Sequence, residues 1–212
     1  MTRIKICGVT QADDAARVAS AGADFIGLNF WPKSKRYLSP ERAPLLASIV
    51  RSTGAAKLVG LFVDPDIDEI QAITAAVDLD VIQLHGDEDP DFVKKVSLAV
   101  YRPVWKALPI ASAKDLARLD VWPAEALLLD APTPGRGGAG AKFDWNLARE
   151  ARERYPKIQF VLAGGLTPEN VGTAISTVEP WAVDVASGVE AAPGVKDADK
   201  LAAFIGAARL GR

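Results

Sequence analysis

Short apolar runs recur at an even pitch along the chain, and polar segments with helical character separate them. Several runs, such as residues 57–63 (KLVGLFV) and 158–163 (IQFVLA), are apolar at nearly every position instead of alternating. Continuous apolar runs of this length are typical of strands buried on both faces of a parallel sheet. The pattern predicts eight strands, over residues 3–7, 24–30, 57–63, 81–84, 100–107, 126–130, 158–163 and 182–185.

Each predicted strand is followed by a segment with the signals of a helix. Ile67, Ile70 and Ile73 share one face of the segment 66–77. The segments beginning at Ser39 and Thr167 both open with a capping residue followed by proline, which favours the first helical position. The predicted helices are 11–21, 39–50, 66–77, 89–96, 112–119, 144–154, 167–175 and 196–209.

Strict alternation of strand and helix predicts a parallel sheet with the helices outside it. Eight such units favour an α/β fold with one closed (β/α)8 TIM barrel, and no linker or change of composition divides residues 1–212 into domains. The structural alternative is a doubly wound open sheet, which has the same alternation.

Composition narrows the classes of function. The chain is 49% hydrophobic and 25% charged, and its formal net charge of −2 comes without a basic block, so nucleic-acid binding is not expected. No apolar stretch is long enough to span a membrane, and the apolar run at the N-terminus is too short for a signal peptide, so we expect a cytoplasmic protein. With one cysteine and one histidine, we expect neither an internal disulfide nor a metal site.

In such barrels the active site lies at the carboxyl ends of the strands, and Cys7 ends the first one. The simplest interpretation of a free cysteine is a small buried hydrophobe. Lys5, however, points to the same side of the strand, and its ammonium would lower the pKa of the thiol. A charge within an apolar strand needs a partner. We expect Asp184, on the strand that closes the barrel, to pair with Lys5, unless Lys5 lies in solvent at the bottom of the barrel.

Asp130 ends the apolar run of the sixth strand. Partial desolvation there suits a general acid, although a loop-capping aspartate is the alternative. Residues 135–140 then match the pattern G-x-G-x-x-G, but no acidic residue ends the next strand as a dinucleotide site requires. We interpret this segment as a glycine-rich loop over the site.

Five further positions are candidates for binding an anionic ligand. Gly164 and Gly165 follow the seventh strand, and Ser187 and Gly188 follow the eighth. These are the loops that bind phosphate in many barrels, although ordinary turns use the same residues. Arg36, in a basic loop, is either solvated or holds a substrate carboxylate through two parallel hydrogen bonds.

The ordered motifs KICGVT (5–10), FWPKSKRYLSP (30–40), QLHGDE (83–88), LLLDAPTPGRGGAGAKFDW (127–145), AGGLTPENV (163–171) and DVASGVEAAPGVKD (184–197) closely resemble the phosphoribosylanthranilate isomerase family of tryptophan biosynthesis. The resemblance implies a cofactor-free Amadori rearrangement, with Cys7 as general base and Asp130 as general acid. It also implies that Arg36 holds the anthranilate carboxylate and that Gly164, Gly165, Ser187 and Gly188 surround the phosphate. Gln83, His85 and Asp184 would line the site, with less defined roles; from the residues alone, His85 is best interpreted as a structural rim residue. Ala139 departs from the hydroxyl residue expected at its place.

Two other kinds of function remain open at this point. The first is a related phosphosugar barrel. The aldose isomerase of histidine biosynthesis would need an aspartate in place of Cys7, and a metal-dependent pentose-phosphate epimerase would need several metal ligands. A catalytically inactive barrel that binds a phosphorylated metabolite would not need both Cys7 and Asp130. We expect a small phosphorylated substrate as the partner, and the chain to be a monomer or a homodimer.

Overall fold

A computed structural model of the chain describes residues 1–132 and 143–211. Eight parallel strands close into a barrel in sequential order, so that β1 pairs with both β2 and β8. The strands are β1 (Arg3–Cys7), β2 (Phe25–Asn29), β3 (Lys57–Phe62), β4 (Val81–Leu84), β5 (Val104–Pro109), β6 (Ala126–Asp130), β7 (Gln159–Leu162) and β8 (Ala182–Val185). The helices are α1 (Ala12–Ser20), α2 (Ala43–Thr53), α3 (Ile67–Val77), α4 (Pro90–Val100), α5 (Trp145–Arg154), α6 (Val171–Val178) and α7 (Ala198–Leu210). The predicted barrel is therefore confirmed.

Apolar side chains of strands β2 to β8 alternate between two clusters. Residues such as Ile4 and Ile26 belong to the larger cluster, which also contains the buried faces of the helices. The smaller cluster fills the barrel, where the rings of Phe25 and Trp105 meet edge to face at 4.8 Å. Because successive side chains point to opposite faces of a strand, Lys5 and Cys7 lie on the opposite face from Ile4 and point into the barrel.

The helix starts follow the capping chemistry only in part. Asp66 and Asp89 accept hydrogen bonds from the main-chain N–H groups of Glu69 and Phe92, at 2.7 Å each, at the predicted starts of α3 and α4. The predicted starts at Ser39 and Thr167 are wrong, since α2 begins at Ala43 and α6 at Val171. Turns occupy the intervening residues.

The region around β5 departs further from the prediction. Val100 ends α4 instead of beginning the strand, and Tyr101 then takes the left-handed conformation that terminates the helix. The predicted helix over 112–119 is replaced by two short 3-10 segments, Ala113–Leu116 and Leu119–Val121. The Asp115 carboxylate accepts main-chain hydrogen bonds at the start of the first segment, which stabilises a single tight turn.

After β8 the chain forms a short hairpin that the sequence patterns did not predict. Its strands are β9 (Glu190–Ala192) and β10 (Val195–Lys196), and Gly194 turns between them with φ = +83°. The Thr10 hydroxyl donates to the Gly194 carbonyl at 2.7 Å, which ties the hairpin to the loop after β1. Lys196 is therefore a strand residue, and α7 begins after Asp197.

Among residues 1–132 and 143–211, no helix is both long enough and apolar enough to cross a membrane.

Candidate active site

The structure brings the polar residues predicted for the site to one end of the barrel. Cys7 and Asp130 occupy the last positions of β1 and β6, and His85 follows the last residue of β4. Gln83 and Asp184 occupy the third positions of β4 and β8. The eight barrel strands are all parallel, so these positions lie at or near the carboxyl ends of those strands, where barrel enzymes carry their active sites.

The predicted pair of Lys5 and Asp184 is confirmed. The two residues are direct neighbours in the register of β1 and β8, and Lys5 Nζ lies 2.8 Å from Asp184 Oδ1. Lys5 is fully buried, which by itself disfavours its ammonium. The charges of Asp184 and Cys7, together with hydrogen bonds to both side chains, outweigh the burial and raise the pKa of Lys5 above its ordinary value. A cation is therefore held beside the base candidate.

Gly27 on β2 supplies the space for this arrangement. A methyl carbon at this position would lie 2.8 Å from Cys7 Sγ and 3.2 Å from Lys5 Nζ. Gly27 pairs directly with Cys7 in the register of β1 and β2. Only a residue without a side chain therefore allows the thiol and the ammonium to occupy the same layer of the barrel.

Burial dominates the acidity of Cys7. The residue is 6% exposed, and desolvation raises the pKa of its thiol more than the neighbouring Lys5 ammonium lowers it. The charge of Asp184 also raises it. The Lys5 ammonium thus lowers the pKa of the thiol as expected, but desolvation, whose extent the sequence did not reveal, outweighs this effect.

Asp130 and His85 face each other across the barrel mouth. His85 Nε2 lies 3.7 Å from Asp130 Oδ2, while Asp130 Oδ1 accepts the Ala131 N–H at 2.8 Å. Gln83, which is fully buried, has its Nε2 3.1 Å from His85 Nδ1. Gln83 Oε1 has no hydrogen-bond partner among the described residues. A polar chain thus runs from the interior of the barrel to the acid candidate.

Arg36 is held by a carboxylate of the protein itself. Its Nε and Nη2 donate to the two oxygens of Glu190, at 2.8 and 2.7 Å. The side chain passes over Gly8, whose φ is +72° and where a methyl carbon would lie 2.5 Å from Arg36 Cδ. Glu190 therefore occupies the edge of the Arg36 guanidinium formed by Nε and Nη2. A ligand carboxylate must bind to the outer edge, formed by Nη1 and Nη2.

Glu190 and Lys196 are functional candidates that the sequence patterns did not single out. Lys196, also buried, places Nζ 2.9 Å from Glu190 Oε1 and 2.6 Å from the Cys7 carbonyl oxygen. Burial opposes ionisation of the Glu190 carboxyl, yet Arg36 and Lys196 hold the pKa of Glu190 below its ordinary value. Only charges within the terminal motif 184–197 hinted at this cluster, because Arg36 lies far from that motif in sequence.

The glycine turns after β7 and β8 lie beside one another and beside Asp130. Gly164 and Gly165 have φ values of +84° and +67°. A methyl carbon at Gly164 would lie 3.0 Å from Asp130 Oδ1, and one at Gly188, which follows Ser187, would collide with the Leu166 carbonyl. The predicted glycine-rich loop at 135–140, with Ala139, lies outside the described residues.

Comparison with known proteins points to one family. The family model "PRAI: N-(5'phosphoribosyl)anthranilate (PRA) isomerase" matches residues 4–207. A protein named N-(5'-phosphoribosyl)anthranilate isomerase from Thermotoga maritima is 42% identical over 205 residues, which cover 97% of each chain. Its crystal structure has a TM-score of 0.88 to this chain at 42% identity and 99% coverage of both chains. A phosphoribosyl anthranilate isomerase in complex with reduced 1-(o-carboxyphenylamino)-1-deoxyribulose 5-phosphate has a TM-score of 0.85 at 39% identity and the same coverage.

Proposed function

The chain belongs to the N-(5'-phosphoribosyl)anthranilate isomerase family, and we propose that Cys7 and Asp130 are the general base and general acid of its reaction. The protein is an isomerase of tryptophan biosynthesis. It rearranges N-(5-phosphoribosyl)anthranilate, an aminoaldose, into 1-(2-carboxyphenylamino)-1-deoxyribulose 5-phosphate, an aminoketose. The reaction moves hydrogen within one molecule and therefore needs one group that donates a proton and one that removes a proton.

The first step assigned to the site is opening of the ribose ring. Asp130 gives a proton to the ring oxygen, the bond between that oxygen and C1′ breaks, and the anthranilate nitrogen supplies the electron pair that forms a Schiff base. Because the Ala131 N–H binds Oδ1, Oδ2 is the oxygen left to carry the proton. His85 lies on the Oδ2 side, where it is placed to hydrogen-bond the carboxylate that remains.

The second step assigned to the site is removal of the C2′ proton. The Cys7 thiolate takes this proton, the electron pair moves toward C1′ and neutralises the Schiff base, and an enolamine forms. Return of a proton to C1′, with loss of the C2′ hydroxyl proton, gives the ketone. The raised pKa of Cys7 makes the thiolate scarce at neutral pH but a stronger base when present. The Lys5 ammonium beside it stabilises the thiolate.

The remaining assigned residues bind the two ends of the substrate. The outer edge of the Arg36 guanidinium would hold the anthranilate carboxylate. The main chain of Gly164, Gly165 and Gly188, with Ser187, would surround the phosphate, since glycines allow the close approach of an anion. Gln83, His85 and Asp184 line the space between them.

One observation supports this assignment above all others. Cys7 and Asp130 end strands that are separated only by β7 and β8. A sugar bound between them would therefore meet a base on one side and an acid on the other. A barrel that only binds a metabolite would not need this arrangement.

The test is turnover of the unstable substrate, generated in place from anthranilate and phosphoribosyl pyrophosphate by a separate transferase and followed by loss of its fluorescence. Cys7→Ser and Asp130→Asn should each lower kcat by about 10²–10⁴-fold and leave product affinity nearly unchanged. Asp68→Asn, an exposed substitution on α3, is the matched control and should keep full activity. Unimpaired turnover in either site variant would overturn the role assigned to that residue.

The assignment to a cytoplasmic enzyme with a small phosphorylated substrate is part of the same proposal. The net charge of −2 gives no reason to expect a polyanionic partner. Sedimentation velocity at micromolar concentration would distinguish a monomer from a homodimer, and cell fractionation would test the compartment.

A further inference from the structure

A cluster of three charges beside the site is not used by the proposed acid–base chemistry. Glu190 and Lys196 come from the β9–β10 hairpin, and Arg36 comes from the loop after β2. Their side chains are 5%, 0% and 13% exposed, respectively. Burying charges is costly unless each one is paired and hydrogen-bonded, so this cluster is a built feature of the fold.

Glu190 fixes the orientation of the guanidinium. Both carboxylate oxygens receive Arg36 donors, so the planar group cannot rotate without losing a charge-assisted hydrogen bond. The Gly194 N–H and Lys196 Nζ in turn donate to Glu190 Oε1, at 3.2 and 2.9 Å. The Nε N–H group and one N–H group of Nη2 are therefore occupied. Only the outer edge of the Arg36 guanidinium, formed by Nη1 and Nη2, is left for a carboxylate from the substrate.

Lys196 makes the net charge of the cluster positive. Arg36 and Glu190 alone sum to zero, and Glu190 would repel a second carboxylate. The Lys196 ammonium brings the sum to +1, which is the charge that a single substrate carboxylate neutralises. Lys196 is anchored by the carbonyl oxygens of Cys7 and Ala186 at 2.6 and 3.3 Å, so the same side chain contacts the main chain that carries the proposed base.

We propose that Glu190 is a positioning residue that sets the specificity of this enzyme for a carboxylated aromatic amine, with Lys196 balancing its charge. Glu190 acts through Arg36, and the inference rests on the proposed role of Arg36 in binding the substrate carboxylate. A guanidinium held in one orientation discriminates between ligands with and without a carboxylate more strongly than a mobile one.

The test compares two substrates, prepared by condensing ribose 5-phosphate with anthranilate or with aniline. The measured quantity is the ratio of kcat/KM for the carboxylated substrate to kcat/KM for the aniline compound. In Glu190→Gln this ratio should fall by about tenfold, through KM of the carboxylated substrate, while kcat stays within about threefold. Because the aniline substrate lacks the carboxylate that Arg36 would bind, its kcat/KM should change much less than that of the carboxylated substrate.

Two results would overturn the inference. One is an equal loss on both substrates, which would give Glu190 a merely structural role. The other is an unchanged or increased ratio, which would show that the negative charge of Glu190 hinders carboxylate binding or has no part in it. If Glu190→Gln fails to fold by circular dichroism, Lys196→Gln provides the same measurement, because loss of one positive charge should also lower the ratio. An unchanged ratio there would equally overturn the inference.

Arg36→Met separates this inference from the proposed function. If this variant loses the preference for the carboxylated substrate while Glu190→Gln keeps it, Arg36 binds the carboxylate but Glu190 does not position it. If Arg36→Met keeps the preference, the proposed role of Arg36 fails first, and the inference fails with it.

Discussion

Replacing Gly27 with alanine would test whether the position of the Cys7 thiol controls the rate. The added methyl carbon would lie 2.8 Å from Cys7 Sγ and 3.0 Å from Cys7 Cα. Ordinary non-bonded separations are about 3.5–4.0 Å, so Sγ must move by about 0.7–1.2 Å or the strands must separate. A displacement of this size costs about 10²-fold in rate when it misplaces a reacting group. Overpacking should also lower the free energy of unfolding by about 1–3 kcal/mol.

Two assays distinguish these effects. The fluorescence assay should show kcat falling by about 10²-fold in Gly27→Ala, and urea unfolding should show that the variant still folds cooperatively. Gly206→Ala is the matched control, because a methyl carbon at this position of α7 has no neighbour within 4 Å among the described residues. That variant should keep full activity and gain up to about 1 kcal/mol of stability. A folded Gly27→Ala protein with unimpaired kcat would refute the idea that this layer of the barrel fixes the position of the proposed base.

Three further predictions concern pH, stability and binding. Burial raises the pKa of Cys7, so kcat/KM should keep rising as the pH passes the ordinary pKa of a thiol. Asp184→Asn removes a negative charge that raises this pKa and should move the rise in kcat/KM to lower pH; a shift to higher pH in the pH–rate profile would contradict this role of the Asp184 charge. Lys106→Met should lower the free energy of unfolding in urea by about 3–5 kcal/mol, since it leaves the Glu88 carboxylate, 2.8 Å away, buried without its cation; a loss below about 1 kcal/mol would count against this account. Gly188→Ala should raise KM more than it lowers kcat, because its methyl group would displace the neighbouring β7 loop from the proposed phosphate site; an unchanged KM by steady-state kinetics would argue against that location.

The sequence predicted the architecture because the architecture depends on local signals. The unbroken apolar runs at 57–63 and 158–163 mark strands with two buried faces, whatever their neighbours are. Asp66 and Asp89 cap helices through main-chain groups three residues away. Local signals failed where the same residues favour both a turn and a helix start. At Ser39, the residues expected to begin a helix form a turn instead.

Closure of the barrel allowed one long-range contact to be predicted. Sequential strand order makes β1 and β8 neighbours, so Lys5 and Asp184 could be paired although they are far apart in sequence. No comparable rule pairs Arg36 with Glu190, because one lies in a loop and the other in a hairpin that no periodic pattern marks. Their contact depends on how the loop and the hairpin fold over the barrel mouth.

The sequence by itself determined the strand order, the end of the barrel at which the candidate site lies, and the residues proposed as acid and base. Only the tertiary structure decided which edge of Arg36 is free and in which direction the pKa of Cys7 moves. Periodicity and capping are set within a few residues, so they can be read along the chain. Desolvation and charge pairing depend on everything that packs around a group in three dimensions, and a linear pattern does not carry that information.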